Sequence, residues 1–224
     1  MAGHPQQRHG VSSGLRDRHT ELYPTAKVIQ ARLAAPRRAA LLTSLVLGAA
    51  VVRALLLPIG DGFSTAVFAA SLLAIAVIDG RALRPSPVAG EGATPAWRLA
   101  WSVLLGVVVG MLLIGPAITD RLADRPIGDF WSWAAIAAIV ASLEETAIRG
   151  VLYRHWLAEA GPLAAVAIGA VVFSLIHLPR YGLTALPLDF AVGLALGGLR
   201  SVTSRVIPCA VAHTIADWGA WFWA

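Results

Sequence analysis

The sequence predicts an all-α fold, a polytopic transmembrane helical bundle of about seven spans, with a polar active-site cavity inside the membrane. Three observations lead there. The 224 residues are 57% hydrophobic and only 14% charged. Mean hydropathy is positive, at +0.69. Apolar runs long enough for a bilayer alternate with short polar breaks, which is the pattern of a chain whose solvent is lipid.

Residues 1–37 are polar, and seven Lys or Arg fall between Arg8 and Arg38. No short apolar stretch with a small-residue cleavage site stands there, so the expectation is a mobile basic tail rather than a secretory signal. Residues 38–224 form the membrane domain, with candidate spans at 40–58, 62–79, 97–118, 129–159, 162–178, 186–199 and 205–223. The break from Arg81 to Trp97, rich in Pro and Gly, is expected to be a loop. With the N-terminus cytoplasmic, 13 basic residues collect on that side and only Arg121, Arg125 and Arg180 on the other. The positive-inside rule then puts the N-terminus in and the C-terminus out, with a bacterial plasma membrane as the expected location. The basic residues form no stripe or aromatic-interleaved patch, which argues against nucleic-acid binding. The single cysteine, Cys209, excludes an internal disulfide framework.

The charges inside the spans carry the chemistry. Glu144, Glu145 and Arg149 follow the apolar run FWSWAAIAAIVASL. Each charge at the centre of a bilayer costs roughly 2.5–3.5 kcal/mol, so three facing lipid would cost on the order of 7–10 kcal/mol. They must therefore face protein or water. Glu145 and Arg149 are spaced i, i+4 with the acid first, the favoured order for an ion pair on a helix. Glu144, turned about 100° away, has no cation three or four residues on and is left as a carboxylate suited to general-base work.

Gly161-Pro162 gives a helix stop followed by a helix start and predicts a tight hairpin. Glu145 lies 16 residues before Gly161 and His177 lies 16 after it, so both stand about 24 Å from the turn and share a layer. In the last span His213 and Asp217 are four apart on one helix face; that spacing also suits a self-satisfied hydrogen bond. Three spans with costly polar groups are most simply reconciled by one shared polar cavity, with Asp189 lining it behind the reacting groups. Gly193 and Gly197 give the same span a face of small residues for close helix packing.

The set Glu144-Glu145-x-x-x-Arg149, Phe173-x-x-x-His177 and His213-x-x-x-Asp217 resembles the motifs of the intramembrane CAAX-protease and bacteriocin-processing family, over about residues 130–224. Ile148 stands where an aromatic is common, and Asp217 where Asn is frequent. The resemblance implies hydrolysis of a peptide bond in a membrane protein or peptide, with Glu144 activating water beside His177. His213 and Asp217 would hold the oxyanion or orient the water, and Glu145 with Arg149 would brace Glu144, with Phe173 beside them. An ionised Asp217 would repel an oxyanion, so it must be protonated or act by orienting His213. Family members are often labelled metalloproteases, and two His with a carboxylate are a Zn²⁺ donor set. The sequence has no H-E-x-x-H pair on one helix, and the expectation is a metal-independent glutamate protease without cofactor. A non-enzymatic transporter or partner-binding protein is the rival class, because intramembrane acids and histidines also build proton relays.

Overall fold

A computed structural model describes residues 26–80, 96–119 and 129–222, and these are helical throughout apart from short turns. The helices are α1 (Ala26–Leu56), α2 (Asp61–Asp79), α3 (Ala96–Thr119), α4 (Phe130–Glu145), α5 (Tyr153–Tyr181), α6 (Leu186–Thr203) and α7 (Ile207–Trp221). A π-helical segment, Thr146–Leu152, joins α4 to α5 without a break. Helix α1 begins at Ala26, inside the stretch expected to be a mobile tail, and most of the expected 81–97 loop lies outside the described residues.

Five stretches are long and apolar enough to cross a bilayer: Arg37–Ile59, Asp61–Asp79, Ala96–Gly115, Phe130–Tyr181 and Leu183–Thr203. The expected spans 129–159 and 162–178 are one continuous stretch of 52 residues. That stretch is more than twice a span in length, and it turns at Gly161, whose φ of 82° and ψ of 177° leave the helical region. A left-handed φ is where glycine replaces any other residue without strain. The expected last span is α7, whose 15 residues fall short of the roughly 20 that a perpendicular crossing requires. The described helices thus give an integral membrane protein with fewer full-length crossings than the apolar runs suggested. Val77, Ile78, Leu112, Trp131 and Leu163 turn most of their surface outward, as lipid-facing residues do.

Polar contacts fix the height of the helices. Asp79, at the end of α2 and fully buried, accepts from Arg154 at 2.9 Å, pairs with His155 at 2.7 Å and meets Arg38 of α1 at 3.3 Å. At the opposite end of α2, Asp61 binds Arg180 of α5 at 2.6 Å. The start of α4 is capped by Asp129, which accepts the Ser132 amide at 2.9 Å. That bond holds the Asp129 carboxyl below its ordinary range. Phe130, Trp133, Trp221 and Phe222 then form an aromatic cluster that joins the start of α4 to the end of α7.

The small-residue face of α6 packs on α5 as its spacing suggests. A Cβ on Gly193 would stand 2.7 Å from Ala170 Cα, and one on Gly197 would stand 2.9 Å from Val166 Cγ1. Two predictions follow from this packing. Gly193→Ala forces α6 off α5 and lowers stability by about 1–3 kcal/mol in thermal unfolding in detergent. Asp79→Ala removes the acceptor shared by Arg154 and His155 and costs about 2 kcal/mol in the same measurement, less than breaking a fully buried pair because both partners are partly exposed.

Candidate active site

Glu144 and Glu145 end α4 just before the π segment, and both are buried. The expected i, i+4 pair is present: Arg149 Nη1 donates to Glu145 Oε1 at 2.9 Å, with both side chains closed to solvent. Arg149 Nη2 donates to the Gly193 carbonyl at 3.0 Å, and its guanidinium lies 4.8 Å over the Phe173 ring. The π segment is held from α6 as well, since Arg200 Nε donates to the Arg149 carbonyl at 2.9 Å. Arg200, which the charge count assigned to the cytoplasmic flank, is therefore a buried residue that binds the backbone of the motif.

His213 enters from α7. Its Nδ1 hydrogen-bonds Glu145 Oε1 at 3.1 Å, and this leaves Nε2 facing Glu144. His177 is set the same way. Its Nδ1 donates to the Phe173 carbonyl at 2.8 Å, and its Nε2 also faces Glu144. Both Nε2 atoms stand 3.8 Å from the same oxygen, Glu144 Oε2. That is too long for a direct hydrogen bond and fits one atom shared among the three groups. Phe173 packs against both rings, with centroids 4.4 Å from His177 and 5.2 Å from His213.

Glu144, not Glu145, is the acid opposite His177, one residue from the pairing that equal counting about Gly161 gives. The π segment explains the shift. Tyr153 N–H donates to the Ile148 carbonyl five residues back, so this turn holds an extra residue and each residue advances the helix less. Asp217 Oδ1 is 3.7 Å from His213 Nε2, beyond hydrogen-bond length, so the self-satisfied His and Asp pair is not what the helix makes. Asp189 stands in the first turn of α6, the helix whose Gly193 carbonyl receives Arg149. Cys209 turns its thiol to the Leu196 carbonyl of α6 at 3.4 Å and is fully buried.

Two residues near the site were not singled out from the sequence. Tyr181 stacks on His177 at 5.8 Å, one turn further along α5. Arg53 of α1 is buried, with its guanidinium 5.0 Å from the Phe68 ring and Nη2 3.4 Å from Thr65 Oγ1. The signal for Arg53 was available, since a charge in an apolar run is as costly there as at Glu144. Nothing in its spacing tied it to the later motifs.

Glu144, His177 and His213 each offer one ligand atom, all within 4.8 Å of one another. The second nitrogen of each ring is bonded to a carbonyl or carboxylate, as is usual for metal-bound histidines. The donors thus fit a three-ligand metal site, and the same arrangement fits a water held between an acid and two imidazoles.

No curated protein and no solved structure matches the chain. Residues 126–219 match the family model described as Type II CAAX prenyl endopeptidase Rce1-like. That stretch holds Glu144, Glu145, Arg149, His177, His213 and Asp217 around one shared centre, and over it the chain is similar to the Rce1-like family of CAAX-type proteases.

Proposed function

We propose that the protein is an intramembrane endopeptidase that hydrolyses a peptide bond of a membrane-embedded protein or peptide, with Glu144 as the general base. The observation that carries this reading is the position of Glu144 Oε2, 3.8 Å from Nε2 of both His177 and His213. A water bound there gives a proton to Glu144 while its oxygen adds to the scissile carbonyl. His177 Nε2 orients that water. In its imidazolium form His213 donates Nε2–H to the oxyanion, a contribution that is large in a site shielded from solvent. The C–N bond then breaks, and Glu144 returns its proton to the leaving amine. Asp217 steers the Nε2 proton of His213 rather than binding the oxyanion, so the frequent Asn at this position is not required. Arg149 and Glu145 hold His213 and the end of α4 in register.

A metal-dependent version of the same hydrolysis is supported by the donor triad. Glu144, His177 and His213 would hold the ion, which would supply Lewis-acid polarisation of the carbonyl and a more acidic water. The bacterial plasma membrane, with the N-terminus inside, is the proposed location, on the basic-residue asymmetry.

Glu144→Gln is expected to lower cleavage of a co-reconstituted membrane peptide by about 10³-fold with the melting temperature retained. Full cleavage by the folded variant would sink Glu144 as the base, and solute or proton flux without cleavage would favour a transporter. Arg149→Lys cannot bridge Glu145 and Gly193 with one planar fork, so kcat is expected to fall about 10-fold or more along with stability. Under the glutamate reading, strong chelation leaves activity unchanged and elemental analysis finds no stoichiometric metal; loss restored by added Zn²⁺ assigns the triad to a metal.

A further inference from the structure

The contacts of α1 and α2 place Arg53 at the height of the active site. Asp61, the first residue of α2, is tied to Arg180, and His177 lies three residues before Arg180 on α5. Thr65 lies four residues after Asp61 on α2, and it is Thr65 that Arg53 touches. Both helices descend from the same ion pair, so Arg53, Thr65 and His177 stand at nearly one level. No carboxylate among the described residues pairs with Arg53. Its side chain is buried, only 8% of the residue remaining exposed, and Nε has no hydrogen-bond partner. A 3.4 Å contact to Thr65 and the face of Phe68 are its polar and aromatic neighbours. A guanidinium withdrawn from water without an anion is costly, and a carboxylate is the anion that its planar fork receives with two parallel bonds.

We propose that Arg53 is a substrate-binding residue that receives a carboxylate of the bound peptide, either its C-terminal α-carboxylate or an acidic side chain beside the scissile bond. This rests on the reading of the protein as an intramembrane peptidase. It adds a specificity element from α1, outside the matched stretch 126–219. A carboxylate held by Arg53 at the height of Glu144 fixes the register in which the peptide crosses the catalytic groups. Binding energy remote from the reacting atoms is thereby used for orientation.

The test measures binding separately from cleavage. Wild-type protein, Arg53→Gln and Arg53→Lys, each checked for an unaltered melting profile, are reconstituted in phosphatidylcholine vesicles. They are offered randomised apolar peptides with either a free C-terminal carboxylate or a C-terminal amide, half of each set containing one Asp. Retained peptides are quantified by mass spectrometry. Wild type is expected to retain carboxylate-bearing peptides about tenfold over uncharged ones, the scale of one charge-assisted pair. Arg53→Gln loses that preference and Arg53→Lys keeps part of it. The amide peptides containing Asp separate the two sources of the carboxylate. Equal retention of charged and uncharged peptides by wild type, or an undiminished preference in a folded Arg53→Gln, overturns the proposal. Selective retention without cleavage by wild type would refute the peptidase reading and leave the role of Arg53 standing; cleavage without selectivity would do the reverse.

Discussion

The ion pair between Glu145 and Arg149 is the constraint on which the site depends. Neither side chain meets solvent, and an isolated pair so buried gains less from its own attraction than it loses in hydration. What makes it tenable is the set of partners around it. Gly193 of α6 takes the second Arg149 nitrogen, Phe173 of α5 lies under the guanidinium, and His213 of α7 shares the Glu145 oxygen. Each of these belongs to a different helix, so satisfying one buried pair brings four helical segments to one point. The two histidines are oriented as a by-product of this arrangement: the acceptors that occupy their Nδ1 atoms leave both Nε2 atoms directed at Glu144.

The π segment is the backbone counterpart of that pair. A turn with five-residue spacing leaves its carbonyls poorly matched within the helix, and Arg200 supplies the donor that Arg149 O receives. Insertion of one residue into the turn also sets the acids in their different roles. With regular α-helical spacing, equal counting from Gly161 would bring Glu145 opposite His177. With the wider turn, Glu144 stands there and Glu145 is left for Arg149 and His213. The neighbouring glutamates thus differ in partners although they share burial.

The legibility of this chain follows the range of each signal. Apolar runs and the cost of charge in lipid are local, and from them the helices, the buried Glu145 and Arg149 pair and the reversal at Gly161 were readable. The spacing of glycines pointed to a close helix approach, which Gly193 makes against Ala170, because such an approach needs small residues at a helical repeat. The span count was less accurate, because hydropathy does not distinguish a 15-residue final helix from a full crossing. The meeting of Glu144 with His177 instead of Glu145 depends on a π turn, for which residue types give no pattern. The partners of Arg53 and Arg200, Phe68 and the Arg149 carbonyl, are distant in sequence or lie in the backbone, so residue spacing does not reveal them.

The exposure of the site's polar groups bears on the side from which water would reach Glu144 in the proposed reaction. The Glu144 side chain is 4% exposed, that of His213 5%, that of His177 13% and that of Asp217 37%. An ionisable group as open as Asp217 cannot face acyl chains without the cost that drove the buried charges together, so its open side must meet water. Asp217 is also one helical turn beyond His213 on α7, and Tyr181 is one turn beyond His177 on α5, toward the end that Asp61 and Arg180 close with an ion pair. Under the proposed hydrolysis, water would approach along that end of α5 and α7 and pass the imidazoles before it reached Glu144. In that reading the gradient would leave Glu144, as the proposed base, in the driest position, where a fixed donor exerts most force on developing charge, while His177 and Asp217 keep more contact with solvent.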